Sequence, residues 1–189
     1  MNLANKLTIS RIVMIPLLVT IYLMEFLAYN QFLAGFIFTI AILTDFIDGR
    51  VARNRNQVTN LGKVLDPVAD KIIVFAALFL FILDGTLNIY LGLSIIFVLI
   101  TRDYLVTGLR QISASEGEVI AAGNLGKAKT MIQSISIIIF FIYSGLNAID
   151  ASGQLPVAIF AYLTLSIAVL LTIWSGYVYM YNGRKLLKK

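Results

Sequence analysis

The chain has 189 residues, 59% of them hydrophobic and only 13% charged. Soluble domains carry about 25% charged residues, and the apolar runs here reach membrane-spanning length, which excludes an ordinary water-soluble fold. With neither cysteine nor histidine, the chain has no disulfides, thiolate nucleophiles, imidazole bases or Cys/His zinc sites. Any metal must be held by oxygen, which favours hard cations such as magnesium, manganese or calcium.

In chain order, residues 1–10 are expected to form a short helix lying in the membrane interface. Asn5, Thr8 and Arg11 fall at i, i+3 and i+6 on one face, with Leu3 and Leu7 elsewhere. Lys6 and Arg11 ahead of an apolar run imitate a signal peptide, but no small-residue cleavage site follows at Leu27, Ala28 and Tyr29, so a retained first span is expected. Six spans are predicted at 9–29, 32–53, 63–83, 87–110, 127–147 and 155–182. Each has about the 20 residues needed to cross ~30 Å of hydrocarbon as a helix. The period-2 alternation of a membrane barrel is absent. The expected fold is therefore all-α and polytopic, with six transmembrane helices after the interfacial helix. No repeat or linker divides residues 1–189, which read as one membrane domain.

Charge orients the spans. All 15 Lys and Arg lie in the N-terminus, the 50–71 region, the 102–129 region or the C-terminus. The alternate connections near 29–32, 84–89 and 146–155 hold no basic residue, only Asp84 and Asp150. The positive-inside rule then places both termini on the cytoplasmic side of the cell membrane. The tail Arg184, Lys185, Lys188 and Lys189 reads as anchoring to anionic lipid. Trp174 and the tyrosines from Tyr177 to Tyr181 read as interfacial or packing residues.

Four aspartates interrupt this apolar pattern. Asp45 and Asp48 close the second span at i, i+3, and Asp66 and Asp70 open the third at i, i+4, so each pair shares a helix face. Carboxylates at membrane depth are rare unless they pair, line a wet cavity or bind cations. Four together would repel and raise one another's pKa. One or two divalent cations would neutralise them, and two-metal sites suit phosphorus chemistry. Gly49 and Ala52 leave room beside Asp48, and Gly62 lets the chain enter the third helix closely. Two bland readings compete. Asp66 before Pro67 could be an N-cap with proline at the first helical position, and the aspartates could pair with Arg50, Arg53, Lys63 and Lys71.

The segment matches D-x2-D-G-x2-A-R-x8-G-x3-D-x3-D at Asp45, Asp48, Gly49, Ala52, Arg53, Gly62, Asp66 and Asp70. This pattern resembles the signature of the CDP-alcohol phosphatidyltransferase family, and the six-span architecture agrees over essentially the whole chain. The resemblance implies an enzyme with a cytoplasm-facing polar cavity, two divalent cations (magnesium first, manganese second) and a homodimer. It implies that Asp45, Asp48, Asp66 and Asp70 ligate metal, with Asp70 also the general base. Gly49, Ala52 and Arg53 would form the CDP pocket, with Asp45 and Asp66 counted among the CDP-binding residues. The donor would be CDP-diacylglycerol, drawn from the membrane lipids, and nothing in the pattern calls for nucleic acid.

The acceptor is read from a second polar cluster. Arg102 and Arg110 lie on the fourth span, and Lys127, Lys129 and Thr130 open the fifth, with Gln133 one turn in. Arg110 and Lys127 converging beside the aspartates would suit an acceptor that is itself a phosphate, with Arg102 beside them. Asp103 is a competing partner for Arg102. The stretches Thr101–Arg110 and Gly126–Gln133, and the opening Asn5–Arg11 with Pro16, are similar to members of the family that use sn-glycerol 3-phosphate. Asn5, Thr8 and Lys129 join the candidates on that basis. Inositol phosphate is the rival acceptor within the family. A cation transporter is the rival class, opposed by acids clustered at one end and basic residues beside them.

Overall fold

The computed structural model describes residues 3–54, 60–115 and 124–184, with side chains described over 9–44, 68–113 and 125–184. Among the described residues the chain forms six helices: α1 (Leu3–Leu23), α2 (Asn30–Asn54), α3 (Asn60–Leu83), α4 (Ile89–Ser115), α5 (Asn124–Ala148) and α6 (Gln154–Gly183). Within α4, α5 and α6, the stretches Ile89–Ser113, Leu125–Ala148 and Gln154–Gly183 are long and apolar enough to cross a membrane, and shorter apolar stretches run over Ile9–Leu23 and Asn30–Thr44. The chain is thus an all-helical, membrane-embedded protein.

The largest departure from the sequence reading lies at α1. Residues 3–10 are continuous with the first apolar stretch as a single helix, rather than a separate interfacial element. That helix ends at Leu23, six residues short of the predicted end at 29. The last turn of any helix leaves carbonyls without partners. Here Asn30 reaches back, its Nδ2 donating to the Tyr22 carbonyl at 2.7 Å, while Tyr29 takes a left-handed φ of 62° to reverse the chain. The start of α4 is better marked in sequence. Asn88 Oδ1 accepts the amide hydrogens of Tyr90 and Leu91 at 3.0 and 3.3 Å, the cap geometry that asparagine favours.

Helix α5 packs most extensively on α6, α1 on α2 and α3, α4 on α6, and α2 on α5. An aromatic cluster joins four of them. Tyr22 of α1, Phe38 of α2, Phe81 of α3, and Phe140 and Phe141 of α5 meet at centroid distances of 4.7 to 6.2 Å. Edge-to-face arrangements of this kind suit the ring quadrupoles. A reciprocal fit brings α2 and α5 together. Gly35 of α2 faces Phe141 of α5, and Gly145 of α5 faces Phe32 of α2. Where lipid supplies no hydrophobic drive between helices, small residues that admit close packing take its place.

A polar knot closes the bundle end that holds the short turns. Asp84, at the end of α3, accepts hydrogen bonds from the Tyr22 hydroxyl of α1 and, at 2.8 Å, from the Ser144 hydroxyl of α5. Its second oxygen accepts the Thr86 amide at 2.9 Å, and the Tyr162 hydroxyl of α6 donates to the Thr86 carbonyl at 2.8 Å. One carboxylate and one turn therefore tie four helices at the end opposite the four aspartates.

A β-carbon on Gly35 would stand 2.7 Å from Cβ of the fully buried Phe141, an atom fixed to its backbone. Gly35→Ala is therefore expected to destabilise by about 1–3 kcal/mol, the range for overpacking. Gly145→Ala meets only the movable ring of Phe32 and should cost less; thermal melts in detergent that reverse this order would refute the packing account. Asp84→Ala leaves the buried Tyr22 hydroxyl without its carboxylate and should cost about 1–3 kcal/mol. Its apparent KM values for substrates bound at the other end should stay within experimental scatter.

Candidate active site

The aspartate signature falls where two helices face the same end of the bundle. Asp45, Asp48, Gly49, Ala52 and Arg53 lie on the C-terminal half of α2, and Asp66 and Asp70 on the N-terminal half of α3. Helix α3 begins at Asn60. Asp66 and Pro67 therefore lie beyond its first turn, which overturns the reading of Asp66 as an N-cap. The side chains of Asp45, Asp48, Gly49, Ala52, Arg53 and Asp66 lie outside the described residues, as do those of Asn5 and Thr8 on the first turns of α1. Among the described residues no cluster of three carboxylates gathers to form a metal site.

Asp70 is described, and its partner comes from α1. Arg11 Nη1 donates to Asp70 Oδ1 at 2.6 Å. Arg11 is 2% exposed and ranks among the largest fully buried side chains, while the Asp70 side chain remains 42% exposed. The pair is thus asymmetric: the cation is enclosed and the carboxylate is partly exposed. Stripping a partner from a fully buried ion pair costs about 3–5 kcal/mol; the half-open carboxylate places this pair below that range. Next to it, Lys71 Nζ lies 5.3 Å from the ring centroid of Tyr104 on α4, so the residue after Asp70 meets the helix that carries the basic cluster.

That cluster is built on three helices. Arg102 Nη1 lies 3.1 Å from Asp103 Oδ1, and its Nη2 donates to the Ser175 hydroxyl of α6 at 3.0 Å. Lys129 Nζ of α5 approaches the same Asp103 oxygen at 3.2 Å. The stem of Arg102 presses on α6 at Gly176, where a β-carbon would stand 3.0 Å from its Cγ. Arg110, one helical stretch further along α4, donates from Nη2 to the Tyr179 hydroxyl at 2.7 Å. The guanidinium carbons of Arg110 and Arg102 also lie 5.3 and 5.7 Å from the Tyr179 ring centroid, within cation–π range. Lys127 is exposed at the start of α5 and forms no ion pair among the described residues.

Of the predicted acceptor candidates, Arg102 lies midway along α4 and Arg110 toward its C-terminal end, while Lys127 and Lys129 lie on the first turns of α5. Arg102 and Lys129 are turned inward onto Asp103, as the competing reading of Asp103 anticipated for Arg102. Sequence reasoning missed Arg11 as the partner of Asp70, read Tyr179 only as an interfacial or packing residue, and gave Ser175 and Gly176 no role. The signals were present: a guanidinium two residues inside an apolar run requires a counter-charge, and Ser175–Gly176 is a small pair of the kind that admits close helix contact.

Comparison with known proteins supports the pattern. The CDP-alcohol phosphatidyltransferase family model matches residues 1–174. The chain is 37% identical over 198 residues to the CDP-diacylglycerol–glycerol-3-phosphate 3-phosphatidyltransferase of Bacillus subtilis (strain 168), covering 99% of this chain and 97% of that one. It is 36% identical over 188 residues to the protein of the same name from Rickettsia bellii (strain RML369-C), covering 97% and 96%. To the probable phosphatidylglycerophosphate synthase of Mycobacterium tuberculosis (strain ATCC 25618 / H37Rv) it is 36% identical over 181 residues, covering 95% and 80%. A family match across nearly the whole chain, with every fixed position of the aspartate signature filled, means that this protein belongs to the CDP-alcohol phosphatidyltransferase family.

Proposed function

We propose that the protein transfers the phosphatidyl group of CDP-diacylglycerol to sn-glycerol 3-phosphate, releasing CMP and forming phosphatidylglycerol phosphate. It would thus act as a phosphatidylglycerophosphate synthase in anionic phospholipid synthesis. The observation that carries the reading is the filled aspartate signature on α2 and α3, in a chain whose relatives bear that activity in their names. The cationic ends of α4 and α5 support a phosphate-bearing acceptor.

The donor set fits a hard cation, since every candidate ligand is a carboxylate and the chain has no histidine or cysteine. Asp45, Asp48, Asp66 and Asp70 would hold two divalent cations, magnesium before manganese, whose charge would offset the diphosphate and the departing CMP. Gly49 and Ala52 would admit the cytidine against the backbone of α2, with Arg53 on a phosphate. Asp70, held by Arg11 and partly exposed, would take the proton of the acceptor hydroxyl. The hydroxyl oxygen then bonds to the phosphorus bearing the diacylglycerol, and the bond from that phosphorus to the CMP oxygen breaks. No covalent enzyme intermediate is needed.

The same reading makes residues 1–189 one domain in the cell membrane, crossing it six times, with both termini and the site on the cytoplasmic side, and pairing as a homodimer. Charge asymmetry supports the orientation. The dimer rests on family resemblance. The deciding assay offers purified protein CDP-diacylglycerol and magnesium with sn-glycerol 3-phosphate, inositol phosphate or serine in separate reactions. CMP release with glycerol 3-phosphate alone is expected. Release with inositol phosphate instead would reassign the acceptor, and no release with any acceptor would favour the transporter reading.

Two variants test the roles. Asn at position 70 keeps an oxygen that can accept from Arg11, so Asp70→Asn should fold, yet lose at least about a hundredfold in turnover, the lower range for a general base. Near-wild-type CMP release would remove Asp70 from the mechanism. Arg110→Ala and Lys127→Ala should each raise the apparent KM for glycerol 3-phosphate by about tenfold, the equivalent of one charged hydrogen bond. A larger rise for CDP-diacylglycerol would put these cations on the donor.

A further inference from the structure

Arg110 extends from α4 near its cytoplasmic end and is itself exposed, yet it does not hang free. Tyr179 holds it twice, through the 2.7 Å hydrogen bond from Nη2 to the hydroxyl and through its position over the ring. Tyr179 is buried, unlike its neighbours Tyr177 and Tyr181, which are exposed and stack on each other at 6.2 Å. Its ring also carries Arg102, whose guanidinium is fixed by Asp103 and Ser175. One buried aromatic on α6 thus stands between two arginines of α4. A guanidinium has five donors in a rigid fork; Tyr179 takes up one nitrogen of Arg110 and leaves the others available.

Resting on the acceptor reading above, we propose that Tyr179 is a positioning residue: it pre-sets the Arg110 guanidinium for the acceptor's phosphate. Asp103 and Ser175 withdraw Arg102, and Asp103 withdraws Lys129, into the framework behind it. The acceptor phosphate then meets Arg110 and Lys127, while Arg102 and Lys129 shape the wall. This division gives the cations different tasks: Arg102 and Lys129 share Asp103 inside the fold, and Arg110 and Lys127 remain for a dianion. It also gives α6, which carries none of the signature aspartates, a part in acceptor selection. A side chain already held in its binding rotamer loses less entropy when the ligand arrives. The contribution of Tyr179 should therefore appear in acceptor affinity.

The test is Tyr179→Phe, which keeps the ring and removes only the hydroxyl. Expected are an apparent KM for sn-glycerol 3-phosphate raised about tenfold, as for loss of a hydrogen bond to a charged group, a KM for CDP-diacylglycerol within about twofold of wild type, and an unchanged melting temperature. A double-mutant cycle with Arg110→Ala supplies the readout that a merely structural role would not move. In the Arg110→Ala background, Tyr179→Phe should add almost nothing, because contacting residues couple where distant ones add. Equal KM rises for both substrates, or full additivity in the cycle, would overturn the positioning role while leaving the function intact. Wild-type protein that releases no CMP with glycerol 3-phosphate would overturn both the function and this inference.

Discussion

A guanidinium buried among apolar helices is tolerable only beside a counter-charge, and the Arg11–Asp70 pair supplies one. Much of the candidate site hangs on that requirement. Arg11 belongs to the first helix and Asp70 to the third, so their ion pair fixes the spacing of α1 and α3 at the end where the signature aspartates emerge. Arg11 is enclosed and Asp70 partly exposed, so the contact orients one carboxylate oxygen while the side chain still reaches the surface. The roles proposed for Asp70, holding a cation and accepting a proton, call for a carboxylate of fixed direction that stays partly exposed. The same pair ties the N-terminal helix to the aspartate-bearing end, although that helix carries none of the signature residues.

The two ends of the bundle use polar groups differently. At the turn-bearing end, Asp84 collects hydroxyls from α1 and α5 and an amide from its own turn. Its oxygens are occupied from inside the protein, which makes the knot a fastening. At the opposite end the charges outnumber their internal partners: Asp103 serves both Arg102 and Lys129, while Lys127 faces outward. Charge left over after internal pairing is what a phosphate-bearing ligand can use. The contrast separates structural from functional polarity on one physical ground, the balance of donors and acceptors.

Much of this was legible in the sequence. The approximate positions of helices α2 to α6 and the placement of the aspartates on two successive helices follow from apolar run length and i, i+3 and i, i+4 spacing, whereas the separate interfacial helix expected at the N-terminus is part of α1. The end of α1 was not legible, because it depends on Asn30 capturing a carbonyl eight residues back, a contact that apolar run length does not encode. The competing reading of Asp66 as an N-cap fails for a related reason, although the expected span start at 63 lies close to the observed one. Asp66–Pro67 has the form of a helix start, but the helix runs back to Asn60. Arg11 was visible as an oddity and Asp70 as a candidate, yet pairing them required knowing that α1 packs against α3. The roles of Ser175, Gly176 and Tyr179 depend wholly on tertiary contact with α4, since an aromatic near a span end has the same local pattern whether it faces lipid or an arginine.

The glycines of the packed faces extend this point to the whole bundle. Gly35 and Gly145 bring α2 against α5, and Gly176 lets the Arg102 stem lie on α6. Helix α5 also packs on α6, and α6 on α4. A continuous line of close helix contacts therefore runs from the aspartate-bearing α2, through α5 and α6, to the arginine-bearing α4. By contrast, α3 and α4 meet only sparingly, with Lys71 over Tyr104 as one point of contact. The distance between the acidic and basic clusters is thus set largely around the back of the bundle. Packing of this kind transmits displacement because helices seated on glycine have no slack. A change at the α2–α5 seam should therefore alter how the two clusters meet before it alters either cluster itself.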